Sequence, residues 1–279
     1  VVEREGPDSK RAITILMLFT GLSGTIFWPV LSLLNGQFGW RTTFVICAAL
    51  HACICLPLYL FCLPKPVAGH TTGAAAEISP LPLSPVMKRK AFLLIAAATT
   101  ISTFVTFGLS PSLLEVFRQS GASPALALQL GSARGVIGIS ARFMDMLLGK
   151  RGNPILTALI GIGMMVLSFV LLFSLPNATP VLVSFTLFYS FGAGLMAVAR
   201  ALLPLALFSA REYGLQSARQ SLPQNLANAT APVVFTAILD RSGADAVIAT
   251  CAVLAVVAFG FVAMLAALVR EARSEAHVA

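Results

Sequence analysis

The sequence predicts an all-α fold, a polytopic membrane helical bundle of about eight transmembrane helices. Composition is the first ground: 57% of the 279 residues are hydrophobic and 11% charged, with a mean hydropathy of +0.88, whereas a soluble domain is about 25% charged. The second is length. About 20 apolar helical residues cross the ~30 Å bilayer core, and such stretches recur at 13–34, 42–63, 91–114, 125–148, 154–175, 181–208, 215–238 and 246–269. The third is texture, because runs such as "ATCAVLAVVAFGFVAMLAALV" are apolar on every face. Barrel strands are about 10 residues long and alternate strictly, so helices are expected.

The opening segment "VVEREGPDSKRAITILM" has no initiator Met and none of the regions of a signal peptide, and it reads as internal sequence. The span at 13–34 carries Gly21, Gly24 and Pro29. The span at 42–63 holds Cys47, Cys53, Cys55 and Cys62, and Cys251 falls in the last span. None has metal-ligand spacing, so all five read as small packing residues. His51, near the centre of the second span, titrates closest to neutrality, yet a lone histidine among apolar residues is more often a hydrogen-bonded packing residue.

Next comes "PKPVAGHTTGAAAEISPLPLSPVMKRK", with five prolines from Pro64 to Pro85. A stretch rich in proline and small residues is a linker. It divides the chain into a two-span piece, 1–63, a cytoplasmic linker, 64–90, and a six-span piece, 91–279. Connections within the six are short ("FRQSGASP", "GKRGNP", "PNATP", "SAREYG" and "DRSGAD"), which makes neighbouring spans antiparallel.

Charge gives the orientation. With the N-terminal flank and every second loop on one side, twelve Lys and Arg fall there against three opposite, Arg41, Arg118 and Arg241. By the positive-inside rule both chain ends are cytoplasmic, in the inner membrane of a cell. The net charge of +8 is thereby explained without nucleic acid, for which no compact basic patch with interleaved aromatics exists.

Polar residues inside the spans carry the functional reading. In the fourth span, Gly131, Arg134, Gly138, Arg142 and Asp145 fall within roughly 80° of one another at about 100° per residue. Glycines let another helix approach, and Arg142 and Asp145, three apart, are spaced to pair. Snorkelling toward the headgroups near Lys150 and Arg151 is the alternative for Arg142. Arg134 lies near mid-span, where an arginine costs about 2.5–3.5 kcal/mol on insertion scales. Its counter-anion is a carboxylate on another helix or a substrate carboxylate or phosphate, unless the side chain reaches the outer headgroups.

In the seventh span Gln220, Gln224 and Asn228 recur every four residues, Asn225 is adjacent, and Pro223 and Pro232 are expected to break the helix. Discontinuous helices are where transporters place binding sites; interhelical hydrogen bonding that glues the bundle is the equal alternative. Tyr189, Thr103 and Thr106 are weaker candidates, and Arg200 and Arg219 read as anchors at span ends.

Gly138-x-x-x-Arg142 followed by Gly149, Lys150 and Arg151 resembles the second-half copy of the loop signature of the major facilitator superfamily, although Asp145 stands where a glycine is usual. The proline-rich linker, the six spans after it, "FGWR" (Phe38 to Arg41) and "ARALLPLALFSAREYG" (Ala199 to Gly214) are similar to bacterial members. The resemblance implies a partial major facilitator fold aligned to the family's fifth to twelfth helices, the first four lacking. It also implies a cytoplasmic latch at Gly138, Arg142, Asp145, Gly149, Lys150 and Arg151. Arg134, Gln224, Asn225, Asn228, Tyr189 and Thr106 are the expected substrate-cavity residues.

The expected function is secondary active transport of a small molecule, taken to be anionic, by alternating access, with proton-coupled export as its fuller form and no cofactor. The alternatives are a membrane-embedded enzyme and a non-transporting membrane fragment. Against the enzyme stand three histidines far apart and no GxSxG, HExxH or phosphate-loop motif.

Overall fold

A computed structural model describes residues 9–62, 83–148, 153–176 and 178–278. Among them every regular element is a helix: α1 (Ser9–Leu50), α2 (Pro85–Gln119), α3 (Pro124–Leu148), α4 (Pro154–Ser174), α5 (Thr179–Leu207) and α6 (Ala210–Val278). Past α1 the chain continues in two π-helical turns, His51–Cys55 and Leu58–Cys62. The starts are written in the sequence. The Ser84 and Asn153 side chains accept from the N–H groups of Met87 and Ile155, Ser123 accepts from Leu126, and Pro85, Pro124 and Pro154 follow them. A polar cap followed by proline satisfies orphan donors and presets φ.

Among the described residues five helices are long and apolar enough to cross a membrane: Leu33–Cys62, Pro85–Gln119, Pro154–Ser174, Thr179–Leu207 and Glu212–Ser274. This differs from the eight expected stretches for three reasons. Glu212–Ser274, 63 residues long, contains two of them, divided at Gly243, whose φ of 77° only glycine adopts readily. In α1, Gly39 has a φ of 75°; Leu33–Cys62 lies across this break, and Arg11–Thr20 is a shorter apolar stretch before it. The third is α3, which matches the stretch at 125–148 but carries Gln129, Arg134, Arg142 and Asp145 and is too polar for the same count. The linker at 64–90 lies mostly outside the described residues.

In the bundle α2 packs along α6, α5 lies between α3 and α4, α4 also touches α6, and α1 leans on α3. The main core includes a ring cluster in which Phe185 stacks on Tyr189 at 5.3 Å and Phe169 meets both. A smaller cluster of Ile13, Val198, Leu202 and Leu205 ties α1 to α5. Glycine sets the helix spacing around α5. A Cβ on Gly194 would sit 2.5 Å from the Gly138 carbonyl oxygen of α3, and one on Gly192 would sit 2.4 Å from that of Gly161 in α4. Backbone is therefore in contact with backbone on both sides, the arrangement small residues permit in membranes.

At the other end of the bundle the Gln119 side chain joins two helices. Its Oε1 accepts from the Ala244 N–H at 2.9 Å, capping the limb of α6 beyond Gly243, while its Nε2 donates to Glu115. Glu115 also pairs with Arg118.

Candidate functional site

The polar side chains of α3, expected to share one stripe, divide among different neighbours. Arg134 places its guanidinium carbon 5.2 Å from the centre of the Tyr189 ring of α5, a cation–π contact. Tyr189 is fully buried. Its hydroxyl is buried and has no hydrogen-bond partner. Thr106 of α2 donates to the Ser102 carbonyl at 2.8 Å. Arg134 and Tyr189 thus meet between α3 and α5.

Of the residues expected in α6, Gln220 and Gln224 are buried and both donate through Nε2 to Thr99 Oγ1, at 2.8 and 3.1 Å. Asn228, one turn on, has its Oδ1 buried without a partner. Asn225 is exposed. The helix runs through Pro223 and Pro232 without a break, and its one non-helical residue is Gly243. The expected discontinuity at the prolines is therefore corrected: membrane helices tolerate proline where neighbouring groups satisfy the freed carbonyls.

Arg142 and Asp145 do not pair as their spacing suggested. Asp145 is buried and its Oδ1 accepts from the Thr157 hydroxyl of α4 at 2.8 Å, leaving Oδ2 buried and unpartnered. Arg142 reaches in another direction, donating through Nη1 to the Met17 carbonyl of α1 at 3.1 Å, with its Nε buried and unpartnered. Spacing along one helix permits an ion pair; tertiary partners on two different helices took the two groups apart. Gly138 remains where the stripe predicted, against Gly194. Gly149, Lys150 and Arg151 lie outside the described residues.

Arg200 is also corrected. Expected as an anchor at a span end, it is half-buried and donates to Thr103 Oγ1 at 3.4 Å, whereas Arg219 is exposed. Thr99 and Thr103, one turn apart on the buried face of α2, were the signal for this polar layer. His51 is exposed and its Nδ1 lies 2.8 Å from the Cys47 carbonyl of its own helix. Among the described residues no group of three or more His, Cys, Asp and Glu is placed to hold a metal ion. Where α2 and α6 begin, Lys88 and Glu212 form an ion pair at 3.3 Å, and Glu212 also accepts from the Ser209 N–H and hydroxyl.

A family model described as Major Facilitator Superfamily matches residues 5–204, from the segment before α1 to near the end of α5.

Proposed function

Because this chain belongs to the major facilitator superfamily, and is therefore a multi-pass membrane protein of a transporter family, we propose that it carries a small molecule by alternating access. The observation that carries the reading is the Arg142 bond to the Met17 carbonyl. It is a long-range hydrogen bond between α1, in the two-span piece 1–63, and α3, in the six-span piece 91–279. A contact of this kind is made in one arrangement of two bodies and broken in another, which is what a latch on a two-state motion needs. Asp145, held to α4 by Thr157, fixes the same end of α3 to its own bundle.

In this reading the breaks at Gly39 and Gly243 separate spans, giving eight that correspond to the fifth to twelfth helices of the family plan. The ends of the chain and the 64–90 linker are cytoplasmic in an inner membrane. Arg134, with Tyr189, Thr106, Gln224 and Asn228, receives an anionic substrate between the spans. Proton coupling and export complete the proposal, the coupling supported by the buried, unpartnered Oδ2 of Asp145.

The test is cysteine-accessibility labelling of both faces in the full-length transporter. Arg142→Ala and Thr157→Val should each shift labelling toward the state in which the seam between α1 and α3 is open, with substrate selectivity kept. Labelling identical to wild type in both variants would sink the latch.

A further inference from the structure

Two arginines, Arg142 and Arg200, lie at one level of the bundle, and among the described residues neither forms an ion pair. The helices α3 and α5 pack with Gly138 against Gly194. They run in the same direction, because two short connections and α4 separate them. Arg142 follows Gly138 by four residues and Arg200 follows Gly194 by six, so both side chains leave their helices one to two turns beyond that backbone contact.

None of the described acids forms an ion pair with either arginine. Glu115 is with Arg118 and Gln119, Asp145 with Thr157 and Glu212 with Lys88. Asp240 and Asp245 flank the Gly243 break at the Gln119 end of the bundle, and Glu271 is near the end of α6. What the two arginines have instead is neutral: the Met17 carbonyl for Arg142 and, at 3.4 Å, the Thr103 hydroxyl for Arg200. The Nε of Arg142 is buried with nothing to donate to. Thr103 is itself 5% exposed. Like charges drawn out of water without a counter-charge are costly, and Arg forks match the oxygens of carboxylate and phosphate.

We propose that Arg142 and Arg200, with the Thr103 hydroxyl that Arg200 reaches from α5, form an anion-binding site for a carboxylate or phosphate group, separate from Arg134. Arg142 is eight residues from Arg134, about 12 Å along the helix, so one small anion cannot occupy both. An anion here replaces a neutral hydrogen bond of Arg142 by a charge-assisted one, which is stronger. Binding therefore competes with the Met17 carbonyl and loosens the seam between α1 and α3. This coupling rests on the alternating-access reading; the site itself does not.

The experiment places a cysteine at Thr103 in the otherwise cysteine-free full-length protein, in phosphatidylcholine vesicles. Its reaction with an anionic and a cationic methanethiosulfonate is compared. The anionic reagent should be favoured by about tenfold or more over its preference for a free thiol, as two nearby positive charges dictate, and Arg142→Gln or Arg200→Gln should abolish most of that preference. Lys at either position should keep it, which also controls for variants that fail to fold. Inorganic phosphate should slow the anionic reagent; if phosphatidylglycerol in the vesicle does so instead, the anion is a lipid headgroup, and either result supports the site. A reagent preference no greater than that of a free thiol means that a carboxylate elsewhere in the protein already neutralises the pair, and it overturns the proposal. So does a cysteine that neither reagent reaches, or protection by neither phosphate nor phosphatidylglycerol. Transport assays of the Thr103→Cys protein are read separately, so loss of the site and loss of the transporter reading are distinguishable.

Discussion

Gly194→Ala gives the sharpest test of how this bundle is held. The added Cβ would lie 2.5 Å from the Gly138 carbonyl oxygen, 2.9 Å from Ala141 Cβ and 3.0 Å from Gly138 Cα. Non-bonded heavy atoms settle at about 3.5–4.0 Å, so α3 must retreat from α5 by about 1 Å, and two of the three obstacles are backbone atoms that no rotamer change moves. Overpacking of this kind costs about 1–3 kcal/mol, here toward the upper end. Replacing glycine by alanine inside a helix returns about 1 kcal/mol, which leaves a net loss of about 2 kcal/mol. Gly260 supplies the control, since a Cβ there meets nothing within 4 Å and Gly260→Ala should stabilise by up to about 1 kcal/mol. Equilibrium denaturation of the purified full-length protein in mixed micelles reads both signs. If Gly194→Ala is as stable as wild type, or if Gly260→Ala loses as much, the backbone contact between α3 and α5 does not limit the packing.

Thr99→Val should cost about 1–3 kcal/mol, because it strands the buried amide groups of Gln220 and Gln224 together. Adding Gln220→Leu and Gln224→Leu should recover part of that loss in the same denaturation assay, whereas independent losses would show that the three do not act as a unit. Glu212→Gln should change stability by less than about 1 kcal/mol, because its pairing with Lys88 is only partly shielded from water and the amide oxygen still accepts from Ser209; a larger loss would mark this ion pair as a structural tie between α2 and α6.

The helices were legible because each apolar run leaves the backbone one way to satisfy its polar groups in lipid, and the cap-proline pairs mark several starts directly. The two breaks were also visible, as "FGWR" around Gly39 and "DRSGAD" around Gly243, although neither looked different from an ordinary loop. What misled was local inference applied to a tertiary question. Arg142 and Asp145 are correctly spaced to pair, yet a threonine 12 residues further on and a carbonyl 125 residues back compete for them. The prolines of α6 should have interrupted it by backbone rules for water, and did not. Arg200 shows the reverse failure: position near a span end suggested an anchor, while its partner Thr103 is 97 residues earlier. The alignment of Gln220, Gln224 and Asn228 on one face was readable from their period of four. Their division into two glutamines that serve Thr99 and an asparagine that serves nothing depends on where α2 lies, which periodicity in α6 does not specify.

The Gln119 cap has a consequence for biosynthesis. The limb of α6 beyond Gly243 takes its N-terminal hydrogen bond from the last residue of α2, 125 residues earlier in the chain. Thr99, lower on α2, waits 121 and 125 residues for its two glutamines. As the ribosome delivers the chain, α2 therefore enters the membrane with its buried hydroxyls and its cap lacking their final partners, and α3, α4 and α5 must assemble beside it while that face is open. Ordering contacts of such long sequence separation is slow, and incomplete bundles that expose them are prone to mispairing. The final helix completes α2 at two levels, so a nascent chain released before residue 220 would leave both the Thr99 hydroxyl and the Gln119 side chain without these partners.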